Sequence, residues 1–204
     1  KDTRIKTITL VDLDPMMTRI SSELPQIRKL NADALHDPRV KIVNADGYRY
    51  LIKSKRQFDL IILDLPDPRT EVIARLYSRE FYLIAKMKLS QNGLLVTQAS
   101  SPYYARESFW CINRTLQAAG LLTLPYRINV PAFGEWGFII ASRQTLSFDH
   151  LKLPLKHRFI TQHLLSQATV FDSDTGPVAD SPISSLEKPN VWRLYRKRVR
   201  YWRS

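Results

Sequence analysis

The chain has 204 residues, of which 44% are hydrophobic and 25% are charged, a composition that predicts one substantial folded core and excludes a disordered chain. No apolar run approaches the roughly 18 residues needed to span a bilayer, and the first residues do not form a signal peptide. The net charge of +12 favours an anionic partner such as nucleic acid or a membrane surface, although much of the excess lies in the last segment, VWRLYRKRVRYWRS.

Short apolar runs typical of buried strands alternate with segments of helical periodicity through the first two thirds of the chain. The predicted strands are 8–13, 40–43, 58–63, 93–97, 121–130 and 137–142. The predicted helices are 16–30, 48–53, one that begins at about Ser78, and one from Pro102 to Gly120. Apolar strands separated by helices indicate a parallel sheet, whereas the last two strands lack an intervening helix and should pair antiparallel. The predicted fold class is therefore α/β, a doubly wound, mostly parallel, Rossmann-like sheet with an antiparallel strand pair at its C-terminal end.

The start of the chain and its C-terminal third suggest how the domains are arranged. The first residue is not methionine and a strand follows almost at once, so we expect the chain to begin inside a larger protein. We predict a Rossmann-like domain at 1–146, incomplete at its N-terminus, and an appendage at 147–204 with a basic aromatic tail.

Cys111 is the only cysteine and is predicted to be a small buried side chain on a helix. The four histidines show no metal-ligand spacing, so no protein-bound metal is expected.

Three consecutive predicted strands end in an acidic residue. Asp12 and Asp14 lie at the end of the first strand, Asp46 at the end of the second, and Asp64 at the end of the third. In open α/β sheets, ligands bind beyond the carboxyl ends of the strands. A solvated turn or a helix cap explains any one of these acids equally well. Three acids in one crevice would repel each other, however, so we expect them to face a ligand, water or bound cations that offset the repulsion.

The position of each acid suggests what it binds. An acid at the end of the strand after a glycine loop accepts hydrogen bonds from ribose hydroxyls, and Asp12 is in that position if a glycine-loop unit lies upstream. The Asp46–Gly47 pair offers a carboxylate beside a backbone that a flat ring can approach closely, which suits the exocyclic amine of adenine. Asp64 and Asp67 bracket a proline-bearing loop and can present two carboxylates to a cationic substrate.

The order and spacing of five segments resemble the polyamine aminopropyltransferase (spermidine synthase) family: VDLDP, NADGYRYL, FDLIILDLPDP, LYSREFY and GLLVTQAS. The later VPAFGEWGFIIAS is similar to the membrane-attached branch, in which the catalytic domain follows a membrane-spanning domain. The resemblance implies a fold of the S-adenosylmethionine methyltransferase type. The chain departs from the family pattern in two places. Its first glycine is Gly47, so the glycine-rich G-G-G-D-G loop is absent, and Phe133 stands where soluble members carry a tyrosine.

The resemblance also implies a role for each matching residue. Asp64, the first acid of the D-x-x-D-P loop, corresponds to the catalytic aspartate. Asp67 corresponds to the acid that holds an amine of the polyamine, and Gln98 to a substrate-lining glutamine. Asp12 corresponds to the ribose-binding acid, and Asp46–Gly47 to the pair that contacts adenine.

The implied reaction moves the aminopropyl group of decarboxylated S-adenosylmethionine to putrescine, giving spermidine and 5′-methylthioadenosine. The nucleoside is a co-substrate, so no cofactor is expected. The expected partners are these small molecules and a membrane, reached through an N-terminal domain and the basic tail, with no nucleic acid. We also expect a homo-oligomer, and a catalytic domain in the cytoplasm, at the cytoplasmic side of a bacterial cell membrane.

Two other functions are compatible with the sequence. An S-adenosylmethionine-dependent methyltransferase acting on nucleic acid would share the sheet class, but Asp67 replaces the aromatic that would stack on a flipped base. A non-catalytic module could use the basic aromatic tail to bind lipid or RNA. The tail is equally compatible with an amphipathic helix docked on its own domain.

Overall fold

The computed structural model describes residues 2–132, 134–148 and 159–201, with the backbone alone described for 199–201. The chain divides into two compact units, Lys1–Lys55 and Arg56–Ser204. The predicted boundary near residue 146 does not coincide with this division and stays a prediction, and the described C-terminal residues belong to the second unit.

The first unit contains two parallel strands with helices between and after them. Its elements are β1 (Ile8–Asp12), α1 (Pro15–Glu23), α2 (Pro25–Leu30), a 3₁₀ turn (Ala34–His36), β2 (Val40–Asn44) and α3 (Gly47–Lys53). β1 and β2 pair in parallel from Ile8 opposite Val40 to Asp12 opposite Asn44. The single helix predicted over 16–30 is wrong, because Leu24 is extended and separates α1 from α2. Proline disfavours a helical conformation in the residue before it, and Pro25 follows Leu24.

The second unit contains a four-stranded mixed sheet. Its elements are β3 (Phe58–Leu63), α4 (Glu71–Ala74), a 3₁₀ turn (Arg75–Tyr77), α5 (Arg79–Lys88), β4 (Leu89–Gln98), α6 (Arg106–Ala118), β5 (Leu122–Val130), β6 (Gly134–Ser142), α7 (Gln162–Ala168) and α8 (Asn190–Tyr201). The strand order is β3-β4-β6-β5, with β3 and β4 parallel and β6 antiparallel to both of its neighbours. The predicted α/β class and the antiparallel pair at the C-terminal end are confirmed.

Two helix starts in the second unit differ in how well the sequence predicted them. Ser78 caps α5 as predicted, its side chain accepting a hydrogen bond from the backbone of Phe81 at 3.2 Å. The predicted start of α6 at Pro102 is wrong, because the helix begins at Arg106. The hydroxyl of Ser101 accepts hydrogen bonds from the two backbone N–H groups of residues 103 and 104, each at 3.2 Å, and this closes a turn ahead of the helix.

The core of the second unit lies between the sheet and the helices α5 and α6. Its largest fully buried side chains are Tyr77, Phe81, Tyr82, Leu89, Leu95, Phe109, Ile112, Leu116, Ile139 and Val191. Cys111 is completely buried among them, as predicted, and burial raises the pKa of its thiol to about 12.

The described part of the basic tail is helix α8, which packs on α4 and α6 of its own unit. Val191 is fully buried, and its carbonyl accepts a hydrogen bond from the Ser108 hydroxyl at 3.4 Å. Arg193 and Arg196 lie on the exposed side of the helix. The interpretation of the tail as a docked amphipathic helix therefore holds for these residues, while Trp202 and Arg203 lie outside the described part of the chain. None of the helices described in residues 2–132, 134–148 and 159–201 is both long and apolar enough to cross a bilayer.

Candidate active site

The loop that follows β3 carries the two acids predicted to act on a cationic substrate. Asp64 directly follows the strand and is exposed, whereas Asp67 is only 8% exposed. Tyr77 is fully buried, and its hydroxyl donates hydrogen bonds to the carbonyls of Pro66 at 3.0 Å and Leu65 at 3.4 Å. Tyr77 therefore holds the backbone between the two acids, and the loop presents one carboxylate outward and draws the other inward.

The carboxylate of Asp67 is surrounded by donors. Its Oδ1 accepts a hydrogen bond from Gln98 Nε2 at 3.2 Å, and its Oδ2 accepts one from the Tyr195 hydroxyl at 2.8 Å. The guanidinium of Arg69 lies 3.8 Å from Oδ2. A buried carboxylate is costly unless such partners compensate for its lost hydration. Burial first, and then the bond to Asp67, raise the pKa of Tyr195, so this phenol stays protonated and can act as the donor.

Gln98, the last residue of β4, binds the loop that follows the neighbouring strand β3. Its amide nitrogen donates to the carbonyl of Leu65 at 3.0 Å as well as to Asp67, and its amide oxygen accepts a hydrogen bond from the backbone of Ser100. An amide nitrogen has two N–H groups, so both are used within the protein. Gln98 was expected to line the substrate. The structure places it in contact with Asp67, whose position it helps to set.

Gly137, the second glycine of the FGEWGF segment, packs closely against the turn that follows β4. Ser100 has a positive φ of 66°, and its carbonyl accepts a hydrogen bond from the backbone of Gly137 at 2.7 Å. A Cβ on Gly137 would lie 2.7 Å from Phe109 Cδ2 and 2.9 Å from the Ser100 carbonyl, both well inside ordinary contact distances. Glycine is therefore required here for β6 to approach the turn that carries Gln98.

The acids predicted to bind the nucleoside lie in the first unit, at the carboxyl ends of β1 and β2. Asp12 is half-buried, and its Oδ1 accepts a hydrogen bond from the backbone of Asp14 at 2.7 Å. Asp14 itself caps α1 through Met16 N at 2.8 Å. Asp46 caps α3 through Arg49 N at 2.8 Å, which is the helix-cap alternative considered above.

The structure thus brings some of the predicted site residues together. Asp64, Asp67 and Gln98 share the carboxyl end of the parallel pair β3 and β4, because Leu63 lies opposite Thr97 in the register. Asp12, Asp46 and Gly47 share the equivalent end of β1 and β2. Among the described residues beyond its own helix and its chain neighbours, no heavy atom lies within 4 Å of where a Cβ on Gly47 would stand. The expected convergence of all three strand-end acids on one crevice stays a prediction, and Phe133 lies outside the described residues.

Sequence reasoning missed two tyrosines of the site. Tyr77 belongs to the LYSREFY segment, which was recognised only as part of a family resemblance, and Tyr195 was counted as an aromatic of the basic tail. The burial of Tyr77 could not be read from periodicity, because it sits in a 3₁₀ turn rather than on a helix face. The signal for Tyr195 was its place on the apolar side of the tail helix, which predicts docking but not the partner.

The fold and the strand-end carboxylates define an α/β protein of the Rossmann-like class, in which acidic residues follow the parallel strands. Residues 1–152 match the family described as "Spermine/spermidine synthase domain". The chain belongs to this family.

Curated relatives support the assignment over nearly the whole chain. A polyamine aminopropyltransferase of Oceanobacillus iheyensis is 35% identical over 196 residues, which cover 95% of this chain and 38% of the relative. Polyamine aminopropyltransferase 1 of Streptomyces coelicolor is 40% identical over 204 residues, covering 94% of this chain and 38% of the relative. Polyamine aminopropyltransferase 2 of Ralstonia nicotianae is 42% identical over 188 residues, covering 92% and 35%. The chain therefore spans little more than a third of the length of these relatives.

Solved structures support the fold. Spermidine synthase from Thermotoga maritima superposes with a TM-score of 0.69 at 22% identity, covering 82% of this chain and 58% of that one. A spermidine synthase in complex with the transition-state analogue AdoDATO superposes with a TM-score of 0.68 at 19% identity, covering 82% and 57%. The predicted Rossmann-like class is thus confirmed.

Proposed function

We propose that the protein containing this chain is a polyamine aminopropyltransferase that converts decarboxylated S-adenosylmethionine and putrescine to spermidine and 5′-methylthioadenosine. The observation that carries the proposal is the buried Asp67 carboxylate, three residues from the exposed Asp64 on one loop, in a member of the spermidine synthase family. Two carboxylates suit a substrate with two amines. They do not suit a flipped nucleobase, which favours the aminopropyltransferase over the nucleic-acid methyltransferase.

In the proposed reaction the loop acids act on opposite ends of the acceptor. The nitrogen of one putrescine amine forms a bond to the propyl carbon while the carbon–sulfur bond breaks and 5′-methylthioadenosine leaves. The attacking amine must be unprotonated, and an alkylammonium ordinarily has a pKa of about 10.4, so the enzyme must both supply the neutral amine and align its nitrogen with the propyl carbon. Asp64 would orient this nitrogen and stabilise the positive charge that develops on it. Asp67 would hold the other amine as an ammonium through a charge-assisted hydrogen bond.

The strand-end acids of the first unit would hold the nucleoside. We assign Asp12 to the ribose hydroxyls and the Asp46–Gly47 pair to adenine. Both acids follow parallel strands, where nucleotide-binding sheets place their ligands. The bare backbone at Gly47 allows the close approach that a planar ring needs.

The decisive experiment supplies the full-length gene product with decarboxylated S-adenosylmethionine and with putrescine, spermidine or cadaverine in turn, and identifies products by mass spectrometry. We expect spermidine and 5′-methylthioadenosine in equal amounts from putrescine. A parallel incubation supplies S-adenosylmethionine and nucleic acid, and methylation there, with no aminopropyl product from any amine, would overturn the assignment. Chelation with EDTA should leave the rate unchanged, because the displacement as written calls for no metal or further cofactor.

The location and assembly of the protein are also proposals. We place the catalytic domain in the cytoplasm, at the cytoplasmic side of a bacterial cell membrane, and we propose a homo-oligomer. The membrane location is supported by the similarity of VPAFGEWGFIIAS to the membrane-attached branch and by the exposed cations of α8, including Arg193, Arg196 and Lys197. Cell fractionation and light scattering on the full-length gene product test these two proposals. Its complete recovery in the soluble fraction would refute the first, and a monomer at all concentrations would refute the second.

A further inference from the structure

The C-terminal helix α8 reaches the acid proposed to bind the acceptor amine. Tyr195 lies 128 residues after Asp67 in the chain, is only 9% exposed, and donates its hydroxyl to Asp67 Oδ2 at 2.8 Å. α8 is held in place by its own packing on α6 and α4, so the hydroxyl is delivered by a fixed element and not by a free tail.

The two donors to Asp67 set the orientation of its carboxylate. Gln98 from β4 binds Oδ1, and Tyr195 from α8 binds Oδ2, so the rotation of the carboxylate plane is fixed from two sides. Each carboxylate oxygen can accept a second hydrogen bond. The guanidinium of Arg69, whose side chain is 72% exposed, lies 3.8 Å from Oδ2, so a cation already stands beside this oxygen.

We propose that Tyr195 is a positioning residue for the amine anchor, so that helix α8 completes the acceptor site and supports selection of a diamine over a monoamine. This inference rests on the proposed function. Tyr195 acts through Asp67: its hydroxyl holds one oxygen of the carboxylate so that the remaining acceptor positions face the incoming ammonium. Only an acceptor with a second amine uses this anchor, and the effect of Tyr195 should therefore depend on the acceptor.

A second contact between α8 and the loop provides a control for a purely structural role, in which the helix only holds the loop in place. Trp192 donates its indole N–H to the backbone carbonyl of Arg69 at 3.2 Å. It joins the same helix to the same loop region through a backbone carbonyl, whereas Tyr195 binds the carboxylate of Asp67. A purely structural role of α8 would make Trp192→Phe and Tyr195→Phe equivalent, whereas a positioning role would separate them.

The test compares the full-length gene product with its Tyr195→Phe and Trp192→Phe variants, using putrescine and 1-aminobutane as acceptors. Tyr195→Phe should raise the KM for putrescine, and its calorimetric Kd, by about tenfold or more, because a hydrogen bond to a charged group is lost. It should leave kcat and the KM for 1-aminobutane within about threefold. Trp192→Phe should leave all of these constants within about threefold. Thermal unfolding of each variant checks that it is folded.

An independent test measures the effect of Tyr195→Phe on the Kd for putrescine in a protein that already carries Asp67→Asn. Since the hydroxyl acts only through the carboxylate, adding Tyr195→Phe to Asp67→Asn should change the Kd for putrescine by less than about twofold. This comparison also serves if Tyr195→Phe alone is unstable, because a neutral amide left without this hydrogen bond costs less than a buried carboxylate left without it.

The outcomes separate this inference from the proposed function. Equal effects of Tyr195→Phe on the diamine and the monoamine, or equal effects of the Tyr195 and Trp192 variants on putrescine, would overturn the positioning role. So would an unchanged Kd for putrescine in Tyr195→Phe, or a large further change on top of Asp67→Asn. Absence of aminopropyl transfer by the unaltered protein would refute the proposed function, while the calorimetric Kd values would still decide whether Tyr195 positions an amine-binding acid.

Discussion

Replacement of Gly137 by alanine tests how the second unit is packed behind its site. The new methyl group would lie 2.7 Å from Phe109 Cδ2 and 2.9 Å from the Ser100 carbonyl, where carbon contacts ordinarily need about 3.5–4.0 Å. Phe109 cannot easily yield, because it is fully buried and its ring packs against Trp110 and Phe171 with centroids 5.2 Å and 5.7 Å away.

The magnitude follows from the cost of overpacking. Forcing an extra methyl into a packed core costs about 1–3 kcal/mol, and for a chain of this length each kcal/mol lowers Tm by roughly 2–4 °C. We therefore expect Gly137→Ala to lower Tm by roughly 2–12 °C. Because Ser100 also bonds to the amide oxygen of Gln98, a displaced Ser100 should disturb Asp67 and raise the KM for putrescine.

Thermal unfolding followed by circular dichroism measures the effect, with two further variants as controls. Gly47→Ala meets no heavy atom within 4 Å and should leave Tm unchanged or slightly higher. Phe109→Leu should destabilise by itself, yet the double variant Gly137→Ala with Phe109→Leu should be more stable than the sum of the single effects predicts, because the smaller side chain removes the clash. An unchanged Tm in Gly137→Ala, or strict additivity in the double variant, would refute the packing argument.

The remaining predictions concern three single side chains, those of Asp64, Asp67 and Cys111. Asp64→Asn in the full-length gene product should keep nucleoside affinity but lower kcat by at least ~10², as expected for the loss of a positioned charge, and near-normal turnover would remove Asp64 from the catalytic role. Asp67→Ala should raise the KM for putrescine by about ten- to a hundredfold, since a charged anchor contributes roughly 1.5–3 kcal/mol, and a fall in nucleoside affinity instead would mean that the acids are wrongly assigned. Cys111, whose pKa burial raises to about 12, should react with iodoacetamide at pH 8.5 far more slowly in the folded than in the unfolded protein. Its raised pKa stabilises the fold fully below the ordinary thiol pKa of about 8.5, and this contribution should be lost as the pH rises toward 12, which urea titrations over that range can measure.

The strands and the acids that follow them could be predicted from the sequence. Alternation of apolar runs with helical segments is a local signal, and it gave the α/β class, the antiparallel pair of β5 and β6, and the loop that carries Asp64 and Asp67. The break between α1 and α2 was also a local signal, because Pro25 restricts the residue before it, although the helical spacing of 16–30 obscured it.

The partners of Asp67 were decided by the tertiary structure alone. Gln98 approaches it because β3 and β4 pair in parallel register, and Tyr195 approaches it because α8 packs on α6 and α4 far along the chain. A sequence pattern shows that a residue such as Tyr195 lies on the apolar face of a helix, but not which buried polar group that face will cover. The physical reason is that a buried carboxylate takes its donors from whichever elements pack around it, and the sequence separation of those elements carries no information about their contact.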